Sequence, residues 1–220
     1  MAIPYYKTLL EFTLTYFYTR LTLFLFFIYS LSTLLKKGVL MKTKEICLCG
    51  LFVALIGIGA FLKVPVPVVP FTLQFLFTLM AALLLGSRLG AVAVSIYVVL
   101  GLVGLPIFAE GGGLWYILKP SFGYLLGFIL GTYVTGKLVE RHSALTFVNL
   151  FRANFTGLLV VYGCGMVYYY LISSFVINQP IALWPLFLYC FLLAVPGDIV
   201  LCAVGASLAK KLRPVLQNLN

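Results

Sequence analysis

GLPIFAEGGGLWYILKPSFGYLLGFILG, residues 104–131, is apolar at both ends and polar in the middle. Either flank is apolar enough for the interior of a membrane. Between the flanks stand Pro106, Glu110, Gly111, Gly112, Gly113, Trp115, Lys119 and Pro120. Consecutive glycines let a backbone approach a ligand with no side chain in the way. An acid, a base, an indole and a phenol share this middle, in a chain with few charges elsewhere. Two readings are open. The commoner one for such a stretch is a wet turn joining two membrane helices; the sharper one is a binding loop that closes over a solute.

Composition settles the class. Of 220 residues, 63% are hydrophobic and 9% are charged, too few charges to cover a soluble domain, so the chain reads as a polytopic membrane protein. No polar stretch is long enough to bury a core of its own. The net charge of +10 lies in short clusters between apolar segments, which speaks for membrane topology and against nucleic acid. Cys47, Cys49, Cys164, Cys190 and Cys202 all fall in apolar segments and read as small hydrophobes. With one histidine, His142, in a polar connection, no metal centre can be assembled by spacing. Gly131–Leu138 nearly matches a nucleotide P-loop, but Leu138 stands where a magnesium-binding hydroxyl is needed and the stretch lies within an apolar span. No cofactor is expected, and no nucleophile–base set points to an enzyme.

From Met41 onward six apolar segments follow, at about Ile46–Leu62, Phe71–Gly86, Leu89–Leu105, Phe122–Leu138, Phe155–Ile177 and Ala182–Ala209. Each is near the ~20 residues that cross a bilayer core. The expected fold is an all-α integral membrane protein, a bundle of six transmembrane helices over residues 41–213 with a cytoplasmic tail at 214–220. Residues 1–40 hold the apolar run Leu21–Leu35 beside Arg20 and Lys36-Lys37. They read as an extra hydrophobic helix, an interfacial or signal-like segment, or an extension upstream of a true start at Met41. Lys36, Lys37, Lys42, Lys44, Arg88, Lys137, Arg141, Arg152, Lys210, Lys211 and Arg213 flank one set of ends, and only Lys63 and Lys119 the other. The positive-inside rule then puts both ends of the six-helix unit in the cytoplasm and the glycine-rich stretch outside, in the plasma or inner membrane.

Polar residues in unusual places are the candidate site. Thr72 and Gln74 enter the second span at its outer end, after the stiffening prolines Pro65, Pro67 and Pro70. They are helix-entry polars or groups at the mouth of a pocket. Gly50, Ala54 and Gly57 recur at i, i+4 and i+7, a groove of small residues for bundle packing or for docking a membrane partner. Asp198 follows Pro196-Gly197 inside a long apolar run. An acid at mid-helix costs about 2.5–3.5 kcal/mol on insertion scales, so it usually faces a bundle interior or water and serves a function.

PFTLQ, GLPIFAEGGG, PSFGYLLGF and PGD, in that order from about Met41 to Leu212, resemble the BioY family, the biotin-binding S components of energy-coupling-factor transporters. The resemblance implies a six-helix bundle that holds the vitamin near its outer surface. It also implies partners in the membrane, a transmembrane T subunit and two ABC ATPases, docked through small residues such as Gly50, Ala54 and Gly57. Two features depart from the family pattern. Lys119–Tyr124 replaces a common GPTGGY, and Leu201 stands where a lysine commonly follows the aspartate. For biotin, Asp198 can accept from the ureido N–H groups while Gln74 or Thr72 meets the ureido carbonyl. Phe108, Trp115, Tyr97 and Tyr124 can pack on the rings, and Lys119 or the N–H groups of Gly111, Gly112 and Gly113 can receive the carboxylate. Glu110 must then face away or pair with the ureido end. An S component for thiamine or riboflavin, or a membrane enzyme or scaffold subunit, are the competing readings.

Overall fold

The structure, a computed structural model, describes residues 43–64, 71–142, 145–178 and 181–218. The expected N-terminal segment 1–40, Pro65, Pro67, Pro70 and the Gln179-Pro180 corner lie outside the described residues. Of a first compact unit, Met1–Ile46, only the opening turn of helix α1 is described; Cys47 onward forms the second unit, which carries everything below.

Helix α1 (Thr43–Phe61) buries Cys49, Phe52, Val53, Ile56 and Ala60 at helical spacing and exposes Leu51 and Ile58 on the other side. An apolar side that faces outward costs nothing in lipid. A two-residue ribbon follows, β1 (Lys63–Val64) antiparallel to β2 (Phe71–Thr72), with Lys63 opposite Thr72 and Val64 opposite Phe71. Helix α2 (Gln74–Leu102) then begins, and a Cβ on Gly59 of α1 would lie 2.9 Å from the Gln74 nitrogen.

Helix α2 is folded back on itself. Gly86 has φ 85° and ψ −177°, a conformation almost closed to other residues. A Cβ on Gly90 would sit 2.9 Å from the Ala81 carbonyl oxygen, although nine residues of straight helix span ~13 Å. Thr132 touches both arms, bonding the Thr78 carbonyl at 3.4 Å and standing 3.1 Å from the same Gly90 position. At the reversal, the carboxylate of Glu140 accepts from the Ser87 amide (2.7 Å) and hydroxyl (3.0 Å). It thereby caps a free N–H, that of Ser87, at the start of the second arm and meets the positive end of that arm's dipole.

Helices α3 (Phe122–Arg141) and α4 (Phe147–Phe175) pack backbone to backbone. A Cβ on Gly127 would stand 2.8 Å from the Val161 carbonyl oxygen, and one on Gly131 3.0 Å from that of Gly157. Small residues at four-residue spacing allow this approach in lipid, where dispersion and shape rather than water expulsion join helices. Helix α4 starts at Phe147, eight residues before the expected Phe155, with the Thr146 hydroxyl accepting from the Asn149 amide. Its first turns carry Asn149, Arg152 and Asn154, which hide the helix from a hydropathy reading. Buried Asn154 is satisfied in part by donating to the Cys202 carbonyl at 2.9 Å.

The last apolar run is interrupted. Helix α5 (Leu183–Phe187) passes into a π-helical turn, Leu188–Leu192, and helix α6 (Val195–Asn218) starts afresh, with Asp198 in its first turn and Pro214 inside it. Pro196 is tolerated because a first-turn residue has no intrahelical acceptor for an N–H. Among the described residues, five helical stretches are long and apolar enough to cross a membrane: Thr43–Phe61, Gln74–Leu102, Phe122–Arg141, Phe147–Phe175 and Trp184–Pro214.

Candidate functional site

The restart of α6 places Asp198 beside a cavity between α2, α3, α4 and the π-helical turn. Its oxygen Oδ2 accepts from the Tyr162 hydroxyl of α4 at 2.5 Å. Both residues are buried, at 8% and 4% exposure. The Tyr162 ring meets Tyr124 edge-on at 5.8 Å and Phe191 at 5.3 Å. The Tyr124 hydroxyl in turn donates to the carbonyl of Cys190, within the π-helical turn, at 3.2 Å. Asp198 and the two tyrosines thus form one wall, tied together across three elements.

Gln74 faces the same cavity from the opening of α2. It is 3% exposed, and its amide nitrogen Nε2 has no hydrogen-bond partner among the described residues. Thr72, two residues earlier on β2, lines the mouth. Apolar walls come from Phe75, Leu125, Phe128 and Val161, with Phe75 and Phe128 stacked at 6.1 Å. Ala109, Tyr116 and Ser121, from the stretch between α2 and α3, complete the lining. Burial raises the Tyr116 phenol above its ordinary value, so it stays a neutral donor there. The cavity has a volume of about 70 Å³ and is partly open.

The loop between α2 and α3 owes its shape to its glycines. Gly111 and Gly113 have φ of 111° and 105°, which only glycine adopts without strain. The Gly113 amide donates to the Gly101 carbonyl at 2.7 Å, and Gly111 and Phe108 exchange amide–carbonyl bonds at 2.9 and 3.2 Å. Phe108 is buried by this fold, 5.5 Å from Tyr97 and 4.6 Å from Tyr116 by ring centroids. The Tyr97 hydroxyl donates to the Ile107 carbonyl at 2.8 Å.

The expected site residues therefore divide. Asp198, Gln74, Thr72 and Tyr124 come together around the cavity. Phe108 and Tyr97 stand behind it as the loop's support, and the amides of Gly111 and Gly113 are occupied by the loop's own backbone. Gly112 lies against the Leu105 and Gly101 carbonyls. Trp115 is 82% exposed and is not among the residues that line the cavity. Lys119 pairs with Glu110 at 3.1 Å, so each of these two charges is answered by the other. The stripe on α1 divides as well. Gly50 and Ala54 are exposed, whereas a Cβ on Gly57 would stand 3.8 Å from Tyr97. Tyr162, Tyr116 and Ser121 escaped the sequence reading. A tyrosine within an apolar run gives no sign of its partner, although Tyr162 falls two helical turns from Asn154, on one face of α4.

The comparisons with known proteins point the same way. The model of the BioY family matches residues 30–218. A probable biotin transporter BioY of Lysinibacillus sphaericus is 38% identical over 177 residues, covering 80% of this chain and 90% of that protein. The biotin transporter BioY of Thermotoga maritima is 40% identical, over 56% of this chain and 72% of its own. Among solved structures, the S component for biotin from an ECF-type ABC transporter aligns with a TM-score of 0.67 at 26% identity, over 79% of this chain and 95% of its own.

Proposed function

The chain belongs to the BioY family, and we propose on that premise that it is the biotin-binding S component of an energy-coupling-factor transporter. It captures the vitamin and passes it across the membrane unchanged; it is not an enzyme. The observation that carries the reading is the pair of buried polar groups on one cavity, an Asp198 carboxylate and an unpartnered Gln74 amide nitrogen. An ionised carboxylate only accepts hydrogen bonds, and Nε2 only donates them. A ureido edge, with its N–H groups beside its carbonyl, answers both. The apolar bicycle then lies against Tyr124, Tyr162, Phe75 and Phe128, in the mix of apolar walls and a few convergent polar groups usual for small-ligand sites.

The membrane topology proposed is six crossings, counting the two arms of α2 separately. Arg88, Lys137 and Arg141 stand by its reversal, and Lys63 and Lys119 stand by the site; the first end is the cytoplasmic one. Residues 41–213 make the binding unit, with 1–40 an N-terminal extension and 214–220 a cytoplasmic tail. Energy comes from a transmembrane T subunit and two ABC ATPases. Gly50 and Ala54, exposed on α1, are the small residues offered to the T subunit, while Gly57 serves internal packing.

Calorimetry on the purified protein tests the reading. Biotin binds tightly, and Asp198→Ala loses about 1.5–3 kcal/mol, the range for hydrogen bonds to charged groups, or ~10- to 150-fold in affinity. Unchanged binding in that variant removes Asp198 from the site, and wild-type preference for thiamine or riboflavin over biotin overturns the substrate.

A further inference from the structure

We propose that Lys63 is the cation that receives the carboxylate of the bound biotin. The inference rests on the biotin reading above and assigns the part of the ligand that Asp198 and Gln74 leave unanswered. Two cations stand at this end of the described bundle, Lys63 and Lys119. The Lys119 ammonium is taken up by Glu110, 3.1 Å from its carboxylate and 3.3 Å from its carbonyl, and lies over the Tyr116 ring at 5.1 Å. Of the glycine amides, the other candidates for an anion, those of Gly111 and Gly113 already donate to Phe108 and Gly101, and Gly112 is packed against the Leu105 and Gly101 carbonyls.

Lys63 is placed differently. In the β1–β2 ribbon it stands directly opposite Thr72, which lines the cavity mouth. Directly opposed residues share a face of the ribbon, their Cβ atoms ~5 Å apart. Its ammonium donates to the carbonyl of Ala109 at 2.9 Å, and Ala109 lines the cavity from the loop. The charge is thus held at the rim between two lining residues. An ammonium has three donors, and this bond uses one. The ion pairs among the described residues are Lys119–Glu110 and Lys137–Glu140, so the Lys63 charge is unmatched by any of their carboxylates. With the acid at the floor and the cation at the rim, a ligand that has a neutral donor head and an anionic tail can enter in one orientation only.

The test compares biotin with biotinamide, in which a neutral carboxamide replaces the carboxylate, by calorimetry on wild type, Lys63→Gln, Lys63→Arg and Lys119→Gln. Wild type should prefer biotin by roughly 5- to 20-fold, a preference that shrinks as salt screens the exposed rim. Lys63→Gln should weaken biotin to the biotinamide level and leave biotinamide unchanged, while Lys63→Arg and Lys119→Gln keep the preference. The proposal is overturned if Lys63→Gln retains the wild-type preference, or if it weakens both ligands equally, which would make the Ala109 bond a loop latch only. Should Lys63→Gln not fold, a wild-type preference that salt does not reduce overturns it equally. A wild type that binds neither compound removes the biotin reading itself, a result distinct from these.

Discussion

Replacing Gln74 with leucine should move stability and binding in opposite directions. The side chain is 3% exposed and its Nε2 is buried without a partner among the described residues, a donor at the opening of α2 that the protein itself does not meet. Such a group costs ~1–3 kcal/mol, and an apolar residue of similar size removes that cost. Leucine is also as good a helix former as glutamine. The ligand-free Gln74→Leu protein should therefore unfold at a higher temperature than wild type. The bond to the ureido carbonyl is lost at the same time, so biotin should bind about 5- to 150-fold more weakly, the same 1–3 kcal/mol read as affinity. A ligand at a hundredfold excess over its Kd stabilises a protein by ~2.7 kcal/mol, so at a fixed biotin concentration the ligand-induced shift should shrink while the baseline rises. Thermal unfolding in detergent with and without biotin reads both quantities on one sample, and calorimetry gives the Kd. A variant that binds biotin as wild type does would refute the role of Gln74, and a lower baseline would refute the unmet donor.

Tyr162→Phe should weaken biotin several-fold by freeing Asp198 to turn, and should add little in an Asp198→Asn background; calorimetry on the double-mutant cycle checks this. Gly86→Ala should destabilise the protein by about 1–3 kcal/mol, since its φ and ψ are all but closed to alanine and the new Cβ would meet Glu140 at 2.9 Å. The folded fraction should still bind biotin with wild-type affinity, as read by thermal unfolding and calorimetry together. Trp115→Ala should leave the Kd within about twofold, because the indole is exposed and off the cavity walls. Gly127→Val drives a branched side chain into the Val161 backbone and should cost ~1–3 kcal/mol or more, seen as loss of monodisperse protein in size-exclusion chromatography.

What could be read in the sequence tracks how local each signal is. Membrane class follows from composition alone. The expected gap between spans at Gly86 and Leu89 falls where α2 reverses, because Gly86, Ser87 and Arg88 interrupt the hydropathy at that point. Asp198 stands out because lipid makes an acid conspicuous, and Gln74 because it follows the proline-rich stretch KVPVPVVP. Tyr162 does not, since a phenol is unremarkable in a chain with 14 tyrosines and its bond to Asp198 spans 36 residues. Small residues were legible as a pattern but not as a partner choice. Gly50, Ala54 and Gly57 form the visible pattern on α1, yet close backbone contacts between helices fall at Gly127, Gly131 and Gly136 of α3. The glycine triplet suggested a surface for ligand, whereas its dihedrals and bonds show a loop folding upon its own carbonyls. Spacing shows that a backbone can come close to something, and only the packed chain shows to what.

The reversal at Gly86 bears on biogenesis. On the topology proposed above, the arm before it has 12 residues and the arm after it 16, each short of the ~20 that a lone span needs. Neither arm is a good solitary client for the insertion machinery. They should enter the bilayer as a paired hairpin, each shielding the other's backbone, and a residue that stiffens the bend should show itself first as a defect in membrane integration during synthesis.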